Sequence, residues 1–205
     1  MKSNINCHKS SLIYPSVEFD GSAFIGPYCV IGGFGFQHSK WLVKDFKEKS
    51  LANTKIGKET RILGHSIICC GTKTGRRLRV DYHCFVGENC QIGDDCVIEY
   101  GARIYDRVRI GNRTTISGFI CNDTIIGENC VIQGSLIHPR TEPNKEPSPI
   151  VEDNCFIGFG ANIIGGIIIR RGSFIAAGAV VARDTEEGYL YVGAPARKIR
   201  KQKWF

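Results

Sequence analysis

The chain has 205 residues, with 27 lysines and arginines against 20 aspartates and glutamates and a formal net charge of +7. Its apolar fraction of 42% and charged fraction of 23% are ordinary for a globular protein, and we expect one domain over residues 1–205. The apolar runs are too short to cross a bilayer, and the first residues lack the apolar segment of a secretory signal. No nucleic-acid-binding module is recognisable. These features favour a cytoplasmic protein with neither a membrane span nor a nucleic-acid partner.

Apolar residues recur at every sixth position through most of the chain. The series runs over 13–31, 56–116, 120–132 and 151–181, and Thr74 is its one polar member. A period of six matches neither an α-helix nor an alternating strand. Because the repeated residues are mostly β-branched, each hexad is predicted to be a short strand followed by a corner, so that three hexads close a triangular coil. About 25 hexads predict a parallel β-helix of about eight coils.

Small residues mark the corners of the predicted coils. Glycine often directly follows the repeated aliphatic residue, where we expect it to supply the backbone dihedrals of a corner. Another slot, two residues before the aliphatic position, holds alanine, serine, threonine or cysteine. Cysteine is expected to act there as a small apolar residue, and neither a disulfide nor a zinc ribbon is predicted. The cysteines in this slot are Cys29, Cys84, Cys90, Cys96, Cys130 and Cys155.

Two insertions and a cap interrupt the repeat. The first insertion covers about 33–54 and begins with glycines and phenylalanines, and the second covers about 138–150 and contains several prolines. The C-terminal cap, about 183–205, is predicted to include a short helix that starts near Pro195 and closes the open end of the coil.

The hexads resemble those of the hexapeptide-repeat proteins, and this resemblance implies a left-handed β-helix. The sequence from 149 to 201, which begins PIVEDNCFIGFGANIIGG, resembles the C-terminal half of acetyl-CoA-dependent O-acetyltransferases, including galactoside and maltose acetyltransferases. The hexads from Val80 to Ile116 are more similar to acyltransferases that act on nucleotide-linked sugars for surface polysaccharide. A short Gly-Phe-Gly-Phe segment at 33–36 resembles acyltransferases of lipid A synthesis.

The resemblance implies a role for each part of a reaction site. His138, which precedes Pro139, corresponds to the general base, and a histidine that titrates near neutral pH suits that task. The position of His138 at the sixth place after Ile132 also draws attention, because the chain leaves the coil there. The resemblance places the backbone N–H of Phe159 against the thioester oxygen. It places coenzyme A along Gly158, Ala177, Gly178, Gly193, Ala194 and Pro195, with Arg197 and Lys198 near its phosphates.

The predicted function is acyl transfer, most simply acetyl transfer, from acetyl-CoA to a hydroxyl or amine of a sugar or nucleotide-linked sugar, without a metal. His38 on the first insertion and Arg140 after the base are predicted contacts of the acceptor. The family is usually a homotrimer, with sites between subunits. Two alternatives stay open. His65 and His83 lie one coil apart and resemble part of the metal site of γ-class carbonic anhydrases, which would indicate a metal-dependent hydratase. A non-catalytic β-helix used for assembly is the other alternative.

Overall fold

A computed structural model describes residues 4–35, 51–138 and 147–202. Within these residues the chain winds as a left-handed parallel β-helix whose strands are two to five residues long. The strands are β1 (Ile5–Cys7), β2 (Leu12–Ile13), β3 (Val17–Phe19), β4 (Ala23–Ile25), β5 (Val30–Gly33), β6 (Thr54–Ile56), β7 (Thr60–Ile62), β8 (Ile67–Cys69), β9 (Lys73–Thr74), β10 (Arg79–Val80), β11 (Phe85–Val86), β12 (Gln91–Ile92), β13 (Val97–Ile98), β14 (Arg103–Ile104), β15 (Arg109–Ile110), β16 (Thr115–Ile116), β17 (Phe119–Ile120), β18 (Ile125–Ile126), β19 (Val131–Ile132), β20 (Ser135–Ile137), β21 (Ile150–Val151), β22 (Phe156–Ile157), β23 (Asn162–Ile164), β24 (Ile168–Ile169), β25 (Phe174–Ile175), β26 (Val180–Val181), β27 (Tyr189–Val192) and β28 (Arg197–Lys201).

Three sheets form the sides of the triangular coil, because each strand from β4 to β26 pairs in parallel with the third strand before it. The first sheet runs β1-β4-β7-β10-β13-β16-β19-β22-β25-β27-β28, the second runs from β2 to β26, and the third from β3 to β24. The second sheet has 9 strands, so the described chain forms about nine coils where the hexad count predicted about eight. The additional coil begins at β1, whose Cys7 lies six residues before Ile13 and pairs with Ile25.

The repeated aliphatic residues fill the interior of the coil as one continuous core. Ile62, Ile98 and Ile132 are fully buried, as are most members of the series. Burying each such side chain is worth about 1.5–3 kcal/mol, so the hexad repeat supplies the main stabilisation of the fold. The polar member, Thr74, is also buried, and its hydroxyl accepts a hydrogen bond from the Gly57 amide at 3.0 Å.

The small-residue slot lies inside the corners, as predicted, and it has a second role as a hydrogen-bond donor. The Cys84 thiol donates to the Glu99 carbonyl of the next coil at 3.1 Å, and the Ser66 hydroxyl donates to the Asp81 carbonyl at 2.7 Å. These bonds satisfy carbonyl groups that lie at the corners and therefore take no part in strand pairing. All ten cysteines are free thiols, and burial raises the pKa of Cys84.

Glycine after the aliphatic residue is explained by contact between coils, and the expectation that it supplies corner dihedrals was wrong for most positions. The left-handed corner positions are held largely by other residues, such as His65 with φ of 58° and Asn89 with φ of 56°. Gly57 has no positive φ, but a Cβ atom there would lie 2.1 Å from the Gly75 carbonyl oxygen. Gly32, with φ of 81°, is an exception.

The C-terminal cap contains a β-hairpin in place of the predicted helix. β27 extends the first sheet and pairs antiparallel with β28, and Pro195 lies in the turn between them. Tyr191 occupies the inward position after Ile175, and its hydroxyl accepts a hydrogen bond from the Glu186 amide at 2.7 Å. The helix prediction was wrong because strand pairing and the buried Tyr191 ring close this end of the coil.

Candidate functional site

His138 lies at the corner between the second and third sheets, directly after β20. The inward residue of this strand is Leu136, which pairs with Ile120 and Ile163. The sixth-position register of His138 was therefore wrong, because the chain steps by four residues from Ile132 to the next inward position. Burying an imidazole would cost free energy that burying leucine gains. His138 is half-buried at the surface of the corner, where the second insertion begins.

The far end of the second insertion returns to the same corner. The Ser148 hydroxyl donates to the carbonyl of Asn122, one coil before His138, at 2.6 Å. The Pro147 ring packs against Gly166, where a Cβ atom would lie 2.3 Å from it. The insertion is thus anchored on both sides of His138, although residues 139–146 lie outside the described structure.

A column of polar residues leads along this corner to His138. Cys70, Glu88, Asp106, Asn122 and His138 occupy equivalent positions on successive coils. The Asp106 carboxylate accepts a hydrogen bond from the Glu88 amide at 2.9 Å, and the Asn122 side-chain carbonyl accepts one from the Asp106 amide at 3.0 Å. This column was not predicted from the sequence, although its members follow one another at a constant spacing of one coil.

Both insertions start from this corner. Gly35, at the beginning of the first insertion, donates its amide to a Glu88 carboxylate oxygen at 2.6 Å. Glu88 and Asp106 are both buried. Burial, with the neighbouring Glu88 carboxylate, raises the pKa of Asp106, and burial also raises the pKa of Cys70 to about 11. The corner is therefore an acidic, partly dehydrated surface between the two insertions.

Asp106→Asn is expected to stabilise the fold at neutral pH. Because folding raises the pKa of Asp106 above its ordinary 3.8, the ionised carboxylate disfavours the folded state. This cost is full above the folded pKa and vanishes below the unfolded pKa, so the gain from asparagine should shrink as pH falls toward 3.8. Urea unfolding of both proteins at pH 8 and pH 4.5 measures it.

Asp123→Asn is the matched control. Asp123 directly follows Asn122 and is exposed, and its carboxylate pairs with Arg107 of the preceding coil at 2.6 Å. Its loss should cost at most about 1 kcal/mol at neutral pH, since exposed ion pairs contribute little. A destabilised Asp106→Asn protein at pH 8 would contradict the interpretation of Asp106.

A second corner, between the first and second sheets, holds most of the residues assigned to coenzyme A. Phe159 follows β22 with 78% of its side chain exposed, and its carbonyl accepts a hydrogen bond from the Gly178 amide at 3.0 Å. The Phe159 amide donates to no acceptor within the residues that the structure describes. Gly158 lets the coils approach, because a Cβ atom there would lie 2.6 Å from the Ala177 nitrogen. Ala177 and Gly178 are exposed.

The hairpin turn continues this corner toward the end of the chain. The Gly193 carbonyl accepts from the Val180 amide at 3.0 Å, and Ala194 and Pro195 are exposed beside it. Arg197 is exposed on β28. Lys198 is engaged within the protein: its ammonium group lies 2.6 Å from Glu186 and 4.8 Å from the centre of the Tyr189 ring. We name the strip formed by 158–160, 176–178 and 193–196 the C-terminal strip.

The structure does not bring His138 and Phe159 together within one chain. Asn162 begins β23 just after the Phe159 corner, and it pairs with Ser135, the first residue of β20. His138 follows the last residue of β20, so His138 and Phe159 lie at opposite ends of one side of the coil. One side of a coil, about six extended residues, spans up to about 20 Å, whereas reacting groups need to be about 3–3.5 Å apart. The proposed substrate contacts His38 and Arg140 lie outside the described residues.

The two other candidate histidines stack on the corner that Phe159 also occupies. The His65 and His83 rings lie 5.0 Å apart between centroids, with Tyr28 stacked on His65 at 4.9 Å. Over the ranges 4–35, 51–138 and 147–202, no three histidine, cysteine, aspartate or glutamate side chains are grouped as metal ligands. No helix in the same ranges is long and apolar enough to cross a membrane.

The triangular coils and inward hexads define a left-handed β-helix built from hexapeptide repeats. Residues 83–118 and 148–183 match the family model described as bacterial transferase hexapeptide (six repeats). The resemblance to hexapeptide-repeat proteins is thus confirmed over these two segments, which include β11 to β16 and β21 to β26.

Curated relatives align with nearly the whole chain. The bifunctional protein GlmU of Clostridioides difficile (strain 630) is 25% identical over 210 residues, covering 100% of this chain and 41% of that protein. The bifunctional protein GlmU of Rubrobacter xylanophilus is 26% identical over 206 residues, covering 98% of this chain and 39% of that protein. The chain spans about two fifths of the length of these relatives.

Solved structures share the fold. UDP-N-acetylglucosamine O-acyltransferase (LpxA) from Moraxella catarrhalis superposes with a TM-score of 0.72 at 21% identity, covering 98% of this chain and 75% of that chain. AntD, an N-acyltransferase from Bacillus cereus in complex with dTDP-4-amino-4,6-dideoxyglucose and coenzyme A, superposes with a TM-score of 0.51 at 21% identity, covering 84% of this chain and 92% of that chain.

Proposed function

We propose that this protein transfers an acyl group, acetyl in the simplest case, from a coenzyme A thioester to a hydroxyl or amine of a sugar or nucleotide-linked sugar. The observation that carries the proposal is the C-terminal strip, where consecutive coils expose backbone at small residues. An extended thioester ligand can lie along such a strip and receive hydrogen bonds from backbone amides. The similar AntD structure, which holds coenzyme A and a nucleotide-linked amino sugar, supports this choice of donor and acceptor.

The unpaired Phe159 amide supports its role as the oxyanion donor. During attack on the thioester carbonyl, negative charge develops on the carbonyl oxygen. A preorganised N–H group at that place stabilises the charge, and one such donor is worth roughly 10²–10³ in rate. The Gly158 carbonyl, which belongs to the same peptide unit as the Phe159 N–H, accepts a hydrogen bond from the Ala161 amide at 3.1 Å, and this bond fixes the direction of the N–H.

His138 acts as the general base in this proposal. Its imidazole removes the proton from the acceptor hydroxyl or amine as that group attacks the thioester carbon, and the coenzyme A thiolate departs. Direct attack requires no covalent acyl-enzyme. The strand before His138 is held from both neighbouring coils, since the Cys121 amide donates to the Leu136 carbonyl and the Gly165 amide donates to the Ile137 carbonyl, each at 2.9 Å.

Because His138 and Phe159 lie at opposite ends of one side of the coil, we propose that the site is completed between subunits of a homotrimer. His138 of one protomer faces the C-terminal strip of the next. The surface polysaccharide pathway suggested by the sequence agrees with an acceptor that bears a nucleotide.

The test is a thiol-release assay with acetyl-CoA against nucleotide-linked amino sugars, nucleotide-linked hydroxy sugars and free sugars. Coenzyme A release should depend on the acceptor and persist after dialysis against a chelator, and light scattering should give three times the mass of one chain. Saturation with acetyl-CoA at 100 times its Kd should stabilise the fold by about 2.7 kcal/mol.

Each alternative function has its own signature in these measurements. A metal-dependent hydratase that uses His65 and His83 would lose activity on chelation. A non-catalytic assembly protein would show neither thiol release nor a thermal shift with acetyl-CoA, and that pair of results would overturn the proposal.

A further inference from the structure

The outer face of the first sheet carries an aromatic residue and two arginines in direct register. Phe24 pairs with Arg61, and Arg61 pairs with Arg79, so the three side chains emerge from successive coils about 4.8 Å apart. They line a groove of about 460 Å³ together with Glu59 and Arg77. This volume is within the usual range for small-molecule sites.

The charges of this groove are not balanced as they are elsewhere on the surface. At the adjoining corner, Arg77 pairs with Asp95 one coil away at 2.5 Å, and Arg76 pairs with Asp94 at 2.7 Å. Within the described part of the chain, neither Arg61 nor Arg79 has a carboxylate within ion-pair distance. Like charges on directly opposed strand positions repel, so an anion bound between the two guanidinium groups would stabilise the pair.

The chemistry of the three side chains indicates a ligand. Guanidinium groups bind phosphate oxygens in a bidentate manner, and two of them one coil apart suit a diphosphate. Phe24 is 40% exposed on the neighbouring coil, where its ring can stack on a nucleobase. We propose that the groove of Phe24, Arg61 and Arg79 binds a nucleoside diphosphate, free or as part of a nucleotide-linked sugar.

This groove is separate from the C-terminal strip. β10, which holds Arg79, lies four strands before β22 in the first sheet, a separation of about 19 Å along the coil axis. Binding there does not rest on acyl transfer, so it can be measured without turnover and independently of the proposed function.

Isothermal titration of the full chain with UDP, dTDP and ADP tests the proposal, with inorganic pyrophosphate and coenzyme A as further arms. Arg61→Gln/Arg79→Gln should weaken nucleoside diphosphate binding at least tenfold and pyrophosphate binding to a similar degree. Phe24→Ala should weaken the nucleotides about tenfold and leave pyrophosphate within twofold. Coenzyme A carries an ADP moiety that can also enter the groove, so both variants should lose at most that site and keep coenzyme A binding along the C-terminal strip.

Arg103→Gln/Arg109→Gln is the matched control, because it removes the same charge from two exposed arginines on the other two sheets. It should leave nucleotide affinity within twofold. If both double variants bound nucleotides equally weakly, the loss would be explained by net charge alone, and the proposed site would be wrong. Absence of binding by all three nucleoside diphosphates would overturn it as well.

Discussion

His138→Ala is expected to lower the rate of the proposed acyl transfer by about 10²–10⁴, the usual contribution of a general base. Because His138 lies at the corner after β20, outside the coil interior, removing its ring should leave folding intact. The donor binds along the C-terminal strip in the proposal, so acetyl-CoA should still raise the melting temperature of the variant. Measurement of kcat and of the thermal shift on the same preparation separates the loss of a base from the loss of donor binding.

His83→Ala is the control for this prediction. His83 is an exposed corner histidine that stacks on His65 at 5.0 Å, and it has no part in the proposed reaction. Its kcat should stay within about twofold of the wild-type value. A variant without His138 that turns over near the wild-type rate would remove this residue from the reaction.

The hexad repeat predicted the fold because it reports burial directly. Each coil must place one residue per side in a narrow interior, and Ile62, Ile98 and their equivalents satisfy that requirement at a constant spacing. The same rule explains the error at His138. The chain had already stepped by four from Ile116 to Ile120, and a second step of four puts Leu136 inside. A side chain's cost of burial decides the register where the spacing alone permits two choices.

The candidate site was predictable only in part, because its residues differ in how they relate to the repeat. The C-terminal strip follows the hexads, so the positions of Phe159 and Gly178 on one corner could be inferred from spacing. Glu88 and Asp106 were missed because carboxylates are ordinarily exposed, and Glu88 is held in place by the amide of Gly35 at the start of the first insertion. Such burial comes from tertiary contacts that a periodic pattern does not contain.

The C-terminal hairpin shows a similar limit. Pro195 near the start of a basic, partly apolar segment fits the first turn of a helix. The preceding segment from Tyr189 to Val192 instead extends the first sheet, whose open edge offers unpaired backbone groups. Pairing with that edge favours a second strand, Arg197–Lys201, over a helix.

Gly118→Ala is expected to cause a large loss of stability. Gly118 lies at one of the two shortened corners, and a Cβ atom added there would lie 1.7 Å from the carbonyl oxygen of Gly134 on the next coil. Backbone on one coil would have to move away from its neighbour, which strains the pairing of β16 with β19 and of β17 with β20. A cost of about 3 kcal/mol or more follows, at the upper end for overpacking. Urea unfolding and a melting temperature lowered by about 6–12 °C measure it.

Gly101→Asn is the control that distinguishes a Cβ contact between coils from a requirement for a positive φ. Gly101 has φ of 72°, and a Cβ atom there would meet nothing within 4 Å. Asparagine already occupies equivalent left-handed corners at Asn89, Asn129 and Asn154. Its introduction should therefore change stability by less than about 1 kcal/mol, since asparagine tolerates this conformation. If both variants lost stability equally, the dihedral preference of glycine would explain its frequency in the chain. A large loss at Gly118 alone shows that the close stacking of coils requires glycine at this shortened corner.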